Sequence, residues 1–326
     1  MSALTLVEAV RTALARALDE DPTVLVLGED VGKDGGVFRA TEGLFERFGP
    51  ERVLDTPLSE ALFTGLAVGL AAQGFRPVVE FQFDGFMYPA LDQLVNHAGR
   101  LRARTRGRLG CPIVLRAPYG GGIRAPEHHS ESPEAFFAHV PGVRTVIPSS
   151  PARAYGLLLA AIRDPDPVVF LEPKRIYRAF REEVTDDGTA LPLDRAFLLR
   201  EGRDLTLLAW GAMIPLCLKA AERLAEEGVS AEVVDVATLK PLDTGTILDS
   251  VAKTGRCVIV HEAPPSYGPG AEIAALLASE GLFSLLAPVV RVTGFDVPTP
   301  LPKLEDVFLP ALTDVLAACR AVLAHR

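Results

Sequence analysis

Three places in the sequence carry side chains whose type and spacing suit chemistry. Asp55-Thr-Pro-Leu-Ser-Glu60 runs directly into an Ala- and Gly-rich stretch, residues 61–72, with Gly65 and Gly69 four apart. This reads as a helix in which each glycine costs roughly 1 kcal/mol, a cost that close packing against another backbone explains. Glu60 falls in its first turn, where its charge suits the positive end of the helix dipole, and that position alone accounts for a carboxylate there. Val79-Glu-Phe-Gln-Phe83 reads as strand, with Glu80 and Gln82 on one face and Phe81 and Phe83 on the other. A polar group in a buried strand needs a partner, so Gln82 bonds either a neighbouring backbone or a heterocyclic ligand that can use an amide's donor and acceptor. Arg116-Ala-Pro-Tyr-Gly-Gly-Gly122, then His128-His129-Ser130-Glu131, is a strand entering a glycine-rich loop. Loops at the carboxyl ends of parallel strands are where ligands bind. The two histidines either transfer protons near neutral pH or are plain surface residues, and by themselves they do not make a metal site. The triple glycine lacks both GxGxxG spacing and the P-loop lysine, so it is a poor match to a phosphate cradle.

The elements that must position these residues follow from periodicity. Residues 1–21 show the spacing of an amphipathic helix at Leu6, Val10, Leu14 and Leu18. Strands are expected at 23–27, 78–83, 113–117, 144–147 and 168–171, with helices at 61–72, 88–102 and 152–163 between them. Alternation of this kind implies parallel pairing with helices on both faces. Residues 182–188 are acidic and turn-rich, which reads as a linker. A second unit of strands at 205–209, 231–236, 257–262 and 289–293 and helices at 215–227, 245–252, 271–280 and 312–324 follows. The expected fold is therefore α/β, two domains with largely parallel sheets, spanning residues 1–185 and 186–326. His261-Glu262 reads as a packed strand terminus facing a subunit rather than a catalytic cluster.

Bulk properties set the outer limits. A chain of 326 residues exceeds one ordinary core, and 48% hydrophobic composition supplies two. No uninterrupted apolar run reaches the roughly 18 residues of a membrane span, and the N-terminal helix is not a signal peptide, so a cytoplasmic protein without membrane contact is expected. Cys111, Cys217, Cys257 and Cys319 show no ligand or disulfide spacing. A net charge of −9 argues against nucleic-acid binding. The local run Arg100, Arg102, Arg104, Arg106 and Arg108 is either a solvated helix end or a contact with a partner or phosphate.

Taken in order, Gly28-Glu-Asp-Val31, Gly35-Gly-Val-Phe-Arg-Ala-Thr41, Asp55-Thr-Pro-Leu-Ser-Glu60, Glu80-Phe-Gln-Phe83, His129-Ser-Glu-Ser-Pro-Glu134 and Phe170-Leu-Glu-Pro-Lys174 resemble one family. Ser250-Val-Ala-Lys-Thr-Gly255 and Arg291-Val-Thr-Gly-Phe-Asp296 continue the likeness through the second domain. The family is the β subunit of the decarboxylating first component of pyruvate and branched-chain 2-oxo acid dehydrogenase complexes. The resemblance implies a transketolase-like pyrimidine-binding domain followed by a transketolase C-terminal-like domain that assembles subunits and docks the core enzyme. It implies thiamine diphosphate as cofactor, with Glu60 on the aminopyrimidine ring nitrogen and Leu58, Gln82 and Phe86 lining the same pocket. Phe86 stands where many branched-chain members have tyrosine, which keeps a ring contact and loses a hydroxyl. His129 matches the loop histidine that serves acyl transfer to a lipoyl group, and His128 has no firm counterpart. A structural potassium site corresponds to Ile113, Ala161, Asp164 and Asp166.

The magnesium-diphosphate motif, Gly-Asp-Gly with a later asparagine, is missing, and Asn96 is the one asparagine in the chain. The resemblance then places the magnesium ligands on an α subunit, in an α2β2 heterotetramer that serves a lipoyl-bearing dihydrolipoyl acyltransferase core. Two other readings stand beside it: a self-sufficient transketolase-like enzyme, and a non-catalytic α/β protein that binds a nucleotide or partner. Chain length and the missing motif weigh against the first. Retained Glu60, Gln82 and His129 weigh against the second. Among 2-oxo acid substrates the markers disagree. Residues 129–139 resemble the branched-chain subgroup, whereas Asp84-Gly-Phe-Met-Tyr88 and Ala125-Pro-Glu-His128 resemble Gram-positive-type pyruvate members, and the sequence leans slightly to branched-chain acids.

Overall fold

The computed structural model describes residues 1–325 and, of Glu127, the backbone alone; Arg326, the last residue of the second expected domain, lies outside them. The chain divides into two compact units, Met1–Tyr119 with Phe136–Leu193, and Gly120–Ala135 with Asp194–Arg326.

The first unit contains strands β1 (Ser2–Leu4), β2 (Val24–Gly28), β3 (Val53–Asp55), β4 (Arg76–Glu80), β5 (Val114–Tyr119), β6 (Arg144–Val146), β7 (Val168–Pro173) and β8 (Glu182–Val184). Strands β6, β7, β5, β4, β2 and β3 lie side by side in that order, every neighbour parallel. β2, β5 and β7 are buried along their whole length, as expected of near-continuous apolar runs covered on both faces.

The first helix begins later than its periodicity suggests. Thr5 caps it, its side chain accepting the Glu8 N–H while the Glu8 carboxylate accepts the Thr5 N–H at 2.7 Å, so the helix runs Leu6–Glu20. Residues ahead of the cap form β1, which pairs antiparallel with β8. The acidic stretch expected as linker therefore supplies a strand, because a partner elsewhere in the chain outweighs its local turn chemistry. The single helix expected over 88–102 is also corrected. Pro89 has no N–H to give an α-helix, and the segment is built as a 3₁₀ turn Asp84–Ala90, a π turn Gln93–Ala98 and a short helix Gly99–Arg104.

A buried ion network ties the middle of this sheet together. Arg116 on β5 donates to Glu172 through Nε and Nη2, each at 2.7 Å, and through Nη1 to Glu80 on β4. Tyr177 completes it, its hydroxyl donating to Glu172 at 2.5 Å. Arg116 is 1% exposed, so water does little for its positive charge and these partners compensate it.

The second unit contains β9 (Phe197–Arg200), β10 (Leu205–Ala209), β11 (Ala231–Asp235), β12 (Thr238–Lys240), β13 (Cys257–Val260) and β14 (Val290–Val292). Its five-stranded sheet has the order β14-β13-β10-β11-β9, parallel except at β9. The expected helices appear at Met213–Glu226, Thr244–Thr254, Pro269–Ser279 and Leu312–Ala324. Pro302–Ala324 matches a membrane span in length and apolarity, but the chain leaves helix between Phe308 and Leu312, and Val315, Ala318, Cys319 and Val322 are buried. The four cysteines are buried free thiols, and burial pushes Cys111 and Cys319 up to about 12.

Replacing Arg116 with alanine leaves two carboxylates buried without their cation. The expected cost is roughly 3 to 5 kcal/mol, read as a lower urea midpoint at pH 7. Arg116→Lys should recover little, because one ammonium lacks the fork that bridges both acids. An unchanged midpoint in the alanine variant would show that the network does not hold these strands.

Candidate active site

In the first unit the chain passes from β2 outward to β3 and then back across β2 to β4. Helical connections consequently leave in opposite directions from the carboxyl ends of β2 and β4, and such a switch point opens a ligand crevice. Three segments meet there, those that follow β2, β3 and β4.

β2 leads into Gly28-Glu-Asp-Val-Gly32. The Gly32 N–H donates to Asp55 Oδ1 at 2.6 Å, and a Cβ on Gly32 would lie 2.6 Å from Asp55 Oδ2, so this approach requires glycine. The Thr56 N–H donates to the Gly28 carbonyl at 2.9 Å, locking the segment after β3 to the same turn. From β4 comes Gln82, whose Nε2 donates to Asp30 Oδ2 at 2.8 Å. β4 ends at Glu80, so Gln82 lies beyond the strand expected to contain it. Freed from strand alternation, it reaches a carboxylate side chain rather than a neighbouring backbone.

Within this frame Glu29 is 7% exposed, and its Oε1 has no hydrogen-bond partner among the described residues. Burial raises its pKa, and the negative charges of Glu60 and Asp30 raise it further. Glu60 opens the helix Glu60–Ala72 as expected, with Ser59 at the cap. Glu29 and Glu60 thus form a repelling pair in which Glu29 is the acid that burial favours holding a proton. Glu29 was not singled out from the sequence. Recognising β3 would have exposed the switch point, and with it the first acidic residue after β2.

Aromatic rings wall the segment after β4. Phe86 stands edge-on to Phe83, centroids 6.0 Å apart, and Phe83 stands edge-on to Phe38 at 5.4 Å. Beneath them Lys174 donates to Asp84 Oδ1 at 3.0 Å, both side chains fully buried, which pins the turn carrying Phe86. Leu58, two residues before Glu60, is 81% exposed. The sequence-expected Glu60, Gln82 and Phe86 therefore share one unit with Leu58, whereas His129 and His128 fold with the other, in a turn Glu127–His129 with their rings 4.5 Å apart.

The potassium candidates gather at the amino end of β5. The Ile113 carbonyl accepts from Val168 N–H at 2.9 Å and the Ala161 carbonyl from Asp164 N–H at 3.3 Å. The Asp164 carboxylate faces Arg144 at 2.9 Å and Asp166 faces Arg102 at 2.6 Å. Among the described residues no group of three or more His, Cys, Asp or Glu side chains is arranged to hold a metal ion.

Known proteins sharpen the picture. A family model described as the transketolase pyrimidine binding domain matches residues 2–179, and one described as the transketolase C-terminal domain matches residues 194–315. The pyruvate dehydrogenase E1 component subunit beta of Acholeplasma laidlawii is 47% identical over 326 residues, covering 100% of both chains. The chain belongs to the pyruvate dehydrogenase E1 β-subunit family. The Bacillus subtilis (strain 168) member is 48% identical over 323 residues, 99% of each chain. A solved "Split gene transketolase, inactive beta4 tetramer" superposes with a TM-score of 0.82 at 26% identity over 99% of each chain. The family and the two-domain α/β fold inferred from the ordered motifs hold, and the family is one of 2-oxo acid dehydrogenase components that depend on thiamine diphosphate.

Because the folded chain resists ionising Glu29, its contribution to stability falls as pH rises from the ordinary carboxylate range toward the raised value. Glu29→Gln removes that penalty. The variant should melt at a higher temperature than the parent at pH 7.5, with the gap closing toward pH 4.5. A gap that is absent or reversed would contradict the raised pKa.

Proposed function

We propose that the chain is the β subunit of a thiamine-diphosphate-dependent pyruvate dehydrogenase. It acts with an α subunit in an α2β2 heterotetramer and delivers the acyl group to lipoyl groups on a dihydrolipoyl acyltransferase core, in the cytoplasm. The observation that carries this reading is the full-length likeness to pyruvate dehydrogenase E1 β subunits, supported by Glu60, Gln82, Phe86 and the buried Glu29 on the segments that follow β2, β3 and β4.

The residues present fit an aminopyrimidine ring. Glu29 offers a buried oxygen without a partner, Gln82 an oriented amide, and Phe86 and Leu58 apolar surface for a flat heterocycle. When bound, thiamine diphosphate supplies the carbon nucleophile and the electron sink for decarboxylation. Glu60 would hold the ring nitrogen through its carboxylate and share a proton with it. Glu29, buried beside the Glu60 charge, resists ionisation. Asp30 fixes the Gln82 amide, and Lys174 with Asp84 fixes the Phe86 turn, so both walls are set before a ligand arrives. His129 donates the proton that the lipoyl sulfur takes up when it becomes a thiol. Magnesium and its ligands belong to the α subunit. Potassium, where bound, would use the second lone pairs of the Ile113 and Ala161 carbonyls, with Asp164 and Asp166 already paired to arginines.

The helix Glu60–Ala72 supports a partner chain. It is apolar on both sides: Phe63, Thr64, Ala67 and Ala71 are buried, while Leu62 and Leu66 are 54% and 46% exposed. A helix of this kind is built for cover on its outer face as well. Relatives named for pyruvate dehydrogenase make pyruvate the favoured substrate over the branched-chain acids to which the sequence markers leaned. The second domain is assigned subunit assembly and docking of the core enzyme.

The test is to assay the chain alone and with its α subunit for thiamine diphosphate binding and for decarboxylation of pyruvate and 3-methyl-2-oxobutanoate. Turnover only in the pair, with pyruvate preferred, is expected. Turnover by the chain alone would favour a self-sufficient transketolase-like enzyme, and binding without turnover in the pair would favour a non-catalytic role. Glu60→Gln should keep the assembly and lose roughly 10²- to 10⁴-fold in decarboxylation. Near-parental turnover would remove Glu60 from the mechanism.

A further inference from the structure

The second unit has the same kind of switch point as the first. Its chain passes from β10 to β11 and then back across β10 to β13, so a crevice is expected between the carboxyl ends of β10 and β13. The residues that follow those ends are Trp210 and His261-Glu262. All three are buried; Trp210 and Glu262 hydrogen-bond to the loop 120–135, and His261 packs by its ring face.

Glu262 Oε2 accepts the Gly121 N–H at 2.9 Å. A Cβ on Gly120, which has φ +79°, would lie 2.7 Å from Glu262 Oε1, so the glycine lets the loop settle onto the carboxylate. Three residues on, Glu305 Oε2 accepts the Arg124 N–H at 3.0 Å. At the far end of the loop Trp210 Nε1 donates to Glu134 Oε1 at 3.1 Å, and the Gly120 N–H donates to the Glu131 carbonyl at 2.8 Å, closing the neck. His261 lies flat against Trp210, planes 9° apart and centroids 5.2 Å apart. Burial, and then Arg291, lower its pKa to about 4, so it packs against the indole as a neutral ring.

The backbone N–H groups of Gly121 and Arg124, in and just after the triple glycine, are thus directed at protein carboxylates, and this stretch is not a phosphate cradle. We infer that Glu262 is the positioning residue of the loop 120–135, fixing His128 and His129 from the second unit through the Gly121 amide, with Trp210 and Glu305 as its other anchors. The inference rests on the reading of the chain as an E1 β subunit. Its consequence is separable from that reading, because it assigns Glu262 to the acyl-transfer half-reaction and not to decarboxylation.

The experiment uses the complex of this chain with its α subunit and measures two rates: pyruvate decarboxylation with ferricyanide as electron acceptor, and reductive acylation of an isolated lipoyl domain. Glu262→Ala should lower kcat for reductive acylation at least about tenfold, with KM for the lipoyl domain moving less, the loss that a misplaced catalytic group produces. Ferricyanide-coupled turnover should stay within about twofold of the parent, an estimate for a loop that chemistry on the cofactor does not use. Trypsin should cut at Arg124 faster. Glu262→Gln retains an oxygen for the Gly121 N–H and should restore most of the acylation rate. Trp210→Phe, which keeps the stack on His261 but loses the bond to Glu134, should lower acylation selectively as well, and so carries the test if the alanine variant does not fold. Equal loss of both rates, no loss of either, or a Gln variant as impaired as the Ala variant would overturn the inference. A parental complex without decarboxylase activity would instead overturn the E1 reading.

Discussion

A guanidinium buried between two carboxylates fixes the geometry on which the first unit's site is built. Arg116, midway along β5, reaches Glu80 at the carboxyl end of β4 and Glu172 near that of β7, and any slip in register would separate the three. Burial raises the Glu80 pKa despite the attraction of Arg116, and Glu172 adds repulsion, so the network is held at a cost. Replacement of such a network by packed apolar residues is often neutral or stabilising, which makes position, rather than stability, its main contribution. Loops are seated on it. A Cβ on Gly36, with φ +76°, would lie 2.6 Å from Glu80 Oε1, so the loop after β2 descends onto the carboxylate. Tyr177, bonded to Glu172, supports the Phe38 ring at 5.3 Å, and Phe38 supports Phe83. Floor and aromatic wall therefore share one origin.

The elements legible in the sequence were those whose stability is local. β10 was expected at 205–209 and the last helix at 312–324, and both have those bounds, because a buried strand and an amphipathic helix announce themselves by period. Glu60 was legible as a helix start for the same reason. β3 has only three residues and exists because β2 lies beside it, so no window around it carries a signal. Missing β3 hid the switch point and with it Glu29. Gln82 was placed on a strand because Phe81 and Phe83 alternate with it, yet β4 stops two residues earlier and Gln82 answers to Asp30, 52 positions away. The clamp on the histidine loop was out of reach for a like reason: Gly121 and Glu262 are 141 residues apart.

The two units apply one topology to different ends. Each has a switch point at the carboxyl ends of parallel strands. In the first, the crevice presents a buried acid with an unpartnered oxygen, an oriented amide and aromatic rings. In the second, the corresponding residues Trp210 and Glu262 are committed to the chain's own loop, and His261, whose ring nitrogens meet no partner among the described residues, is stacked on the indole. A crevice that sets an open carboxylate oxygen near an oriented amide and aromatic rings is suited to a ligand, and one whose carboxylate and indole grip the chain's own loop is suited to holding structure. Fold alone does not decide between these uses; the satisfaction of particular atoms does.

The helix that begins at Glu60 links the acid pair to the protein surface. Its buried face, Phe63, Thr64, Ala67 and Ala71, packs inward, while Leu62 and Leu66, two and six residues on from the carboxylate, face outward. Gly69 has open space where a Cβ would stand, so this outer face is smooth as well as apolar. A chain that covers Leu62 and Leu66 would exclude water within one helical turn of Glu60. Excluding water strengthens the interaction between neighbouring charges, and Glu29 already sits where burial and the Glu60 charge oppose its ionisation. Cover on this face and the ionisation of Glu29 would therefore be linked: whatever keeps the helix covered makes a second charge beside Glu60 more costly, and holding Glu29 neutral makes cover easier to form.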